Sequence, residues 1–339
     1  MLHELKNIFK QAIINQENNI KNVLVTVVDL NGSSYRKPGV RMLISSNNTS
    51  VGAVSGGCVE KEIIRRAQSV FNDNIAKIIT YDGRYRLGCE GVLYILIEPL
   101  DITKHFRTLF LNAIENRESI KIDSYFITED EAKGNYGSVI TYNNQQQVAF
   151  SNSFDVKQTK DKKVFSQELK PLFKLIIIGG EHDAVKLCEI AANLGWQIEV
   201  YTSIKDSKSQ LDFPGAFSVK GTTPETITFS SNEENTAIVL MNHSFVQDLK
   251  YLVKLSKFKP QYIGIIGAPK RREKLFNQLF EYVPDLEEEF LDAIFTPAGL
   301  HIGATTPEEI AISIIAEILA VVRKKEPFSL KKLSKNINN

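Results

Sequence analysis

Cysteine is scarce in this chain: three in 339 residues, far apart and odd in number. That argues against a disulfide framework and for a reducing compartment, so a cytoplasmic protein is expected. An excess of one charge is also lacking, with 41 Lys and Arg against 40 Asp and Glu. A formal net charge of +1 removes the electrostatic case for a general nucleic-acid binder. No apolar run approaches the roughly 18 residues of a membrane span. Residues 1–16, MLHELKNIFKQAIINQ, carry neither the apolar stretch nor the small-residue cleavage site of a secretion signal. The histidines (His3, His105, His182, His243 and His301) form no close pair at metal-ligand spacing. A Gly-x-Ser-x-Gly elbow and a P-loop are missing too, so hydrolase and NTPase chemistry lose their usual support.

What is present reads as a two-part α/β protein, since the length allows about 100–200 residues per domain. Residues 3–15 have apolar side chains at helical spacing. NVLVTVVDL (22–30), RMLIS (41–45), VGAVSGGC (51–58) and GVLYILIEPL (91–100) read as strands, with a helix after the glycine pair at 56–57. These make an N-terminal domain, 1–100, of mixed α/β type and smaller than the C-terminal one. Residues 101–170 hold a helical stretch and then weak strands or a connector. From 171 to 323, strands alternate with helices, as in a Rossmann-like, doubly wound parallel sheet. Thr306-Pro307-Glu308-Glu309 has the pattern of a capping box opening an apolar last helix. Residues 324–339 form a polar tail.

Three segments have residue types suited to binding chemistry. Ser55-Gly56-Gly57-Cys58-Val59-Glu60 offers free backbone N–H groups at a helix start, where a thiol is acidified by the helix dipole. Leu87-Gly88-Cys89-Glu90-Gly91 is a second cysteine in a glycine-flanked loop. Small residues in tight turns would explain both equally simply. The turn from Gly32 to Arg41 carries Arg36, Lys37 and Arg41 and suits a phosphate, or else a solvated hairpin. Cys188, inside an apolar helix, reads as core filling. In the C-terminal half, Gly179-Gly180-Glu181-His182-Asp183-Ala184 follows a strand but departs from G-x-G-x-x-G/A. Glu181 replaces the glycine that lets a backbone approach pyrophosphate, and the next strand ends in Thr202-Ser203 rather than an acid. NAD(P) binding is therefore not expected, although His182 and His243 fall at the ligand-binding edge of such a sheet.

The segments GSSYRKPGVRMLI, SGGCVEKEI and GCEG resemble the N-terminal domain of the XdhC/CoxI family. IIIGGEHDAVKLCEIAANLGW, NHSFVQDLKYL, YIGIIGAPKRREKL and PAGLHIGATTPEEIAISIIAEILA resemble its C-terminal half. The resemblance covers roughly residues 20–100 and 173–323. It implies an accessory protein of xanthine dehydrogenase or carbon monoxide dehydrogenase maturation, not an enzyme with turnover. Such a protein binds molybdenum cofactor transiently, protects it, supports its sulfuration and hands it to a molybdenum hydroxylase. A cysteine desulfurase is a further implied partner, and a homo-oligomer the implied state. Cys58 and Cys89 fall on the family's cysteine motifs, as ligands of the metal end. Gly56, Gly57 and Arg41 match as well; Arg36, Gly88, Gly179, Gly180 and His182 complete the expected cofactor contacts. Asp248 and Gly267 also match family positions. Glu90 stands where the family commonly has glycine. Two readings of other classes compete: an NAD(P)-dependent oxidoreductase using the C-terminal domain, and a scaffold that docks hydroxylase subunits without touching cofactor.

Overall fold

The computed structural model describes residues 1–32, 37–54, 56–82, 91–143, 145–229, 235–258, 260–268 and 270–332, and the chain divides into two units, Met1–Pro171 and Leu172–Asn339. The first opens with α1 (Leu2–Glu17), whose Leu5, Ile8, Phe9 and Ala12 form one buried stripe at helical spacing. Next come β1 (Asn22–Asn31), β2 (Arg41–Ser45), β3 (Ser50–Gly52), α2 (Gly57–Asp73), β4 (Ala76–Asp82) and β5 (Val92–Pro99). The strand expected over 51–58 is shorter, because the chain leaves the sheet at Gly52 and its glycine pair opens α2 instead. Residues 101–170 fold with the first unit as α3 (Lys104–Glu115), β6 (Ile120–Phe126), β7 (Lys133–Gly134), β8 (Gly137–Thr141), β9 (Gln147–Ala149) and β10 (Lys163–Leu169).

Two antiparallel sheets result, ordered β3-β2-β1-β5-β4-β7 and β10-β6-β8-β9. Strand alternation gives the six-stranded sheet two different faces. Val23, Val25, Val27, Met42, Ile44, Ile95 and Ile97 face α2, which buries Val59, Ile63, Ala67 and Val70 against them. Val59 and Ile63 are fully buried, and each contributes roughly 2 kcal/mol of transfer free energy. An Ile63→Asp change would put an unpaired carboxylate in that layer and detach the helix. On the opposite face Val28, Ile78 and Leu96 pack with Phe126 and Tyr136 from the second-sheet side of the unit.

The second unit holds β11 (Lys174–Ile178), α4 (His182–Asn193), β12 (Gln197–Ser203), β13 (Ser218–Thr222), β14 (Thr236–Leu240), α5 (Phe245–Leu255), β15 (Tyr262–Ile265), α6 (Lys270–Tyr282), α7 (Glu288–Asp292), β16 (Ile294–Phe295) and α8 (Pro307–Val322). Its sheet is parallel throughout, in the order β13-β12-β11-β14-β15-β16. That is the doubly wound Rossmann order with its switch point between β11 and β14. Leu175 and Ile177 face α4 and α8, whereas Ile176 and Ile178 face α5, α6 and α7. Cys188 lies in the first of these cores; burial pushes its thiol up to about 12, so it stays a neutral packing group. At the start of α8 the Thr306 hydroxyl accepts from Glu309 N at 3.3 Å, and Glu309 Oε2 accepts from Thr306 N at 3.1 Å, completing the capping box.

Candidate functional site

Strand register brings three of the sequence segments to one end of the six-stranded sheet. Val92, the first residue of β5, pairs with Asn31, the last of β1, and with Asp82, the last of β4. Residues 33–36 continue from the first of these strand ends and residues 83–90 from the second. β3 ends on the same side, with Gly52 opposite Met42, and a few residues later Gly57 opens α2. The N-terminus of α2 therefore shares this end with the chain segments that lead to Arg36 and Cys89. Arg36, Gly88 and Cys89 lie outside the described residues, as does the side chain of Cys58, which occupies the second position of α2.

α2 begins with no side-chain cap. Its N-cap residue, Gly56, has extended backbone (φ −86°, ψ 159°) and makes no capping hydrogen bond. A Cβ added at Gly56 would meet nothing within 4 Å. Among the described residues, then, this 17-residue helix starts without a side-chain cap and with a free Cβ direction at its N-cap, at the positive end of its dipole, which is the chemistry of an anion site. Two buried side-chain oxygens belong to the same end and have no hydrogen-bond partner: Glu60 Oε1, in the first turn of α2, and the Tyr81 hydroxyl, next to last in β4.

Arg41 is not on that face. Residues alternate along β2, so Arg41 points away from α2 and toward the second sheet, opposite Thr26. It is 8% exposed, and its Nη1 donates to Gly39 O at 3.1 Å and to Gln167 Oε1 at 2.5 Å. Nε and Nη2 are buried without a partner, as is Thr26 Oγ1. Gly39, at φ +96°, sits in the left-handed region that favours glycine, and a Cβ there would also push aside the Gln167 amide that Arg41 contacts. Near Arg41 is Glu98, which is fully buried and accepts from Ser138 N at 2.8 Å and Ser138 Oγ at 2.6 Å. Burial pushes the Glu98 carboxyl up to about 7, against the Ser138 bonds and the Arg41 charge, and lowers Arg41 to about 10. Glu98 is hidden in sequence: a single carboxylate in the run GVLYILIEPL is the one signal it leaves.

In the second unit, Gly179 and Gly180 sit at the carboxyl end of β11. Gly179 adopts φ +153°, and a Cβ there would come within 2.6 Å of Met241 O. Glu181 is the N-cap residue of α4 without a side-chain capping bond, and His182, the first helical residue, is exposed. Asp248 is fully buried and holds Arg271 across the ends of β14 and β15: Arg271 Nη2 donates to Asp248 Oδ2 at 2.7 Å, and Asn242 Nδ2 donates to Oδ1 at 3.1 Å. Burial raises the Asp248 carboxyl to about 6 despite these partners. Gly267 lies under Arg271, whose guanidinium would be 3.2 Å from an added Cβ. Asn242 and Arg271 are not singled out by sequence, although NHSFVQD and GAPKRR contain them. Among the described residues, no group of three or more His, Cys, Asp or Glu is arranged to hold a metal, and no helix is long and apolar enough to cross a membrane.

Comparison with known proteins agrees with this architecture. Residues 175–318 match the XdhC Rossmann domain, and residues 16–82 match the XdhC and CoxI family. A Bacillus subtilis protein named as a probable xanthine dehydrogenase subunit is 29% identical over 88% of this chain and 92% of that protein. The molybdenum cofactor insertion chaperone PaoD of Escherichia coli is 23% identical over 88% of this chain and 83% of its own length. A crystal structure described as a xanthine dehydrogenase from Bacillus halodurans superposes with a TM-score of 0.75 at 24% identity, covering 94% of this chain and 96% of that one, and shares its fold. On these matches, in both halves, the chain belongs to the XdhC/CoxI family.

Proposed function

We propose that this chain is an accessory factor that binds molybdenum cofactor, protects it, and supports its sulfuration and insertion into a xanthine-dehydrogenase-type molybdenum hydroxylase. The observation that carries the reading is the shared sheet end. There the uncapped start of α2, with Cys58 in its first turn, meets the strand ends that lead to Arg36 and Cys89. The cofactor supplies a phosphate, a pterin and a dithiolene-bound molybdenum when bound. The residues fit those parts: the α2 amides beyond Gly56 and Gly57, with Arg36 and Gly88, hold the anion. Cys58 and Cys89 hold the sulfur-rich metal end, where a thiolate favoured by a helix N-terminus is the natural ligand. Arg41 acts as a positioning residue, because its bond to Gly39 O fixes the end of the basic turn.

Gly179, Gly180 and His182, at the carboxyl edge of the parallel sheet, form a second surface proposed for cofactor contact. The partners that belong to this reading are the recipient hydroxylase and a cysteine desulfurase as sulfur donor, with the factor itself a cytoplasmic homo-oligomer. The PaoD relative's name, a cofactor insertion chaperone, supports the same role. The test is activation of a cofactor-free hydroxylase by the purified factor loaded with cofactor. Cys58→Ala and Cys89→Ala should each lower the activated fraction by about tenfold or more, the scale of losing a group that holds a metal site together. Full activation by both variants would overturn the cysteine assignment.

A further inference from the structure

Glu60 and Tyr81 carry buried oxygens that the folded chain leaves unsatisfied. Glu60 Oε1 and the Tyr81 hydroxyl are both shielded from solvent and have no hydrogen-bond partner. A carboxylate oxygen in that state is costly, and such an orphan calls for a ligand or ordered water.

The two residues stand at the same level of one layer. α2 descends from Glu60 to Asp73 over about 20 Å, at 1.5 Å per residue. β4 returns from Ala76 to Tyr81 over about 17 Å, at roughly 3.3 Å per residue. Tyr81 lies on the sheet face that α2 covers, and Ile64, one helical turn after Glu60, borders the same core cluster as Tyr81. Cys58 precedes Glu60 by two residues in the helix. A carboxylate acceptor and a phenol thus flank the end of the sheet where the cofactor is proposed to bind.

Resting on that reading, we infer that Glu60 and Tyr81 recognise the 2-amino-4-oxopyrimidine edge of the cofactor's pterin. This edge presents adjacent N–H donors on its ring nitrogen and exocyclic amine, which a carboxylate accepts side by side. Its carbonyl accepts from a hydroxyl such as that of Tyr81. Neither role involves the metal or the phosphate, so the two residues select the organic part of the cargo. Guanine nucleotides present the same edge, and a competition experiment separates the two sources.

The experiment is an anaerobic molybdopterin titration of the full chain, followed by pterin fluorescence, with competition by tetrahydroneopterin, by GMP and by lumazine. Lumazine has a 2-oxo group where pterin has the 2-amino donor. In the wild type, tetrahydroneopterin should displace molybdopterin and lumazine should not, while GMP, which shares the edge, shows whether the rest of the ring system is also read. Glu60→Gln should weaken molybdopterin about tenfold or more and erase the preference for pterin over lumazine. Tyr81→Phe should weaken it about fivefold. Unchanged thermal unfolding of both variants checks that they fold. Normal affinity and normal selectivity in both variants would overturn this inference and leave the cofactor reading standing, as would displacement by lumazine as strong as by pterin. Displacement by GMP alone would overturn the pterin assignment. A wild type that binds no molybdopterin would overturn the cofactor reading and this inference together.

Discussion

At the residue scale, the buried carboxylate Glu98 makes the most direct physical prediction. Its pKa is raised by burial from an ordinary value of 4.5 to about 7. A carboxyl with a raised folded pKa contributes full stability below its unfolded pKa and loses it as pH climbs to the folded one. Stability should therefore fall between about pH 4.5 and 7, by on the order of 3 kcal/mol if Glu98 alone is counted. Asp248, raised to about 6, adds a decline of the same sign in the second unit. Urea unfolding of wild type and Glu98→Gln at pH 5, 6, 7 and 8 checks this. The variant should be flatter across that range; an unchanged slope would show that Glu98 is ionised throughout, held so by Arg41 and Ser138. Neither Glu98 nor the buried turn of Arg41 toward Gln167 is legible in sequence. A strand's two faces are told apart by alternation, but here both faces are apolar, so a single charge in the run carries no clue to its partner 40 residues on.

Elements are more legible than residues. α2 and α8 follow from apolar spacing, and the Thr306-Pro307-Glu308-Glu309 capping box is present as its sequence predicts. Thr306→Ala should lower stability by about 1 kcal/mol through loss of one cap bond, seen as a drop in the melting temperature of the second unit. No drop would mean that the neighbouring Thr305, whose N and Oγ1 also donate to Glu309 Oε2, holds the helix start alone. β4 goes unread in the sequence because it begins only two residues after α2, even though Asn72, Asp73 and Asn74 are turn residues and Asn74 ends the helix in the left-handed region. That gap hides the pairing of Asp82 with Val92, and with it the meeting of the motifs at one sheet end. At that end, Gly56→Val isolates the open helix start. Its backbone is in a region any residue adopts and its Cβ direction is free, so the variant should melt within about 1 kcal/mol of wild type. A ligand held on the α2 amides would nonetheless be blocked, and molybdopterin affinity should fall. Equal affinity would move the anion contact away from α2.

At the scale of the whole molecule, the parallel unit is the easier half to read. Its central strands β11, β14 and β15 are buried on both faces and appear as continuous apolar runs, while β12 alternates and β13, at the edge, is largely polar. The first unit mixes long strands with the two-residue β7 and three-residue β9, whose polar residues resemble loop sequence until they pair. The same contrast holds for the sites. Gly179 and Gly180 announce themselves after a strand, whereas the Arg271–Asp248 pair joins residues from two helices and depends on the sheet order. The central claim, that this chain carries molybdenum cofactor, is tested most directly by anaerobic titration of the purified protein with the cofactor, following pterin fluorescence and retained molybdenum together. Stoichiometric binding that weakens in Cys58→Ala is the result expected here. A folded wild-type protein that retains neither pterin nor molybdenum would contradict it.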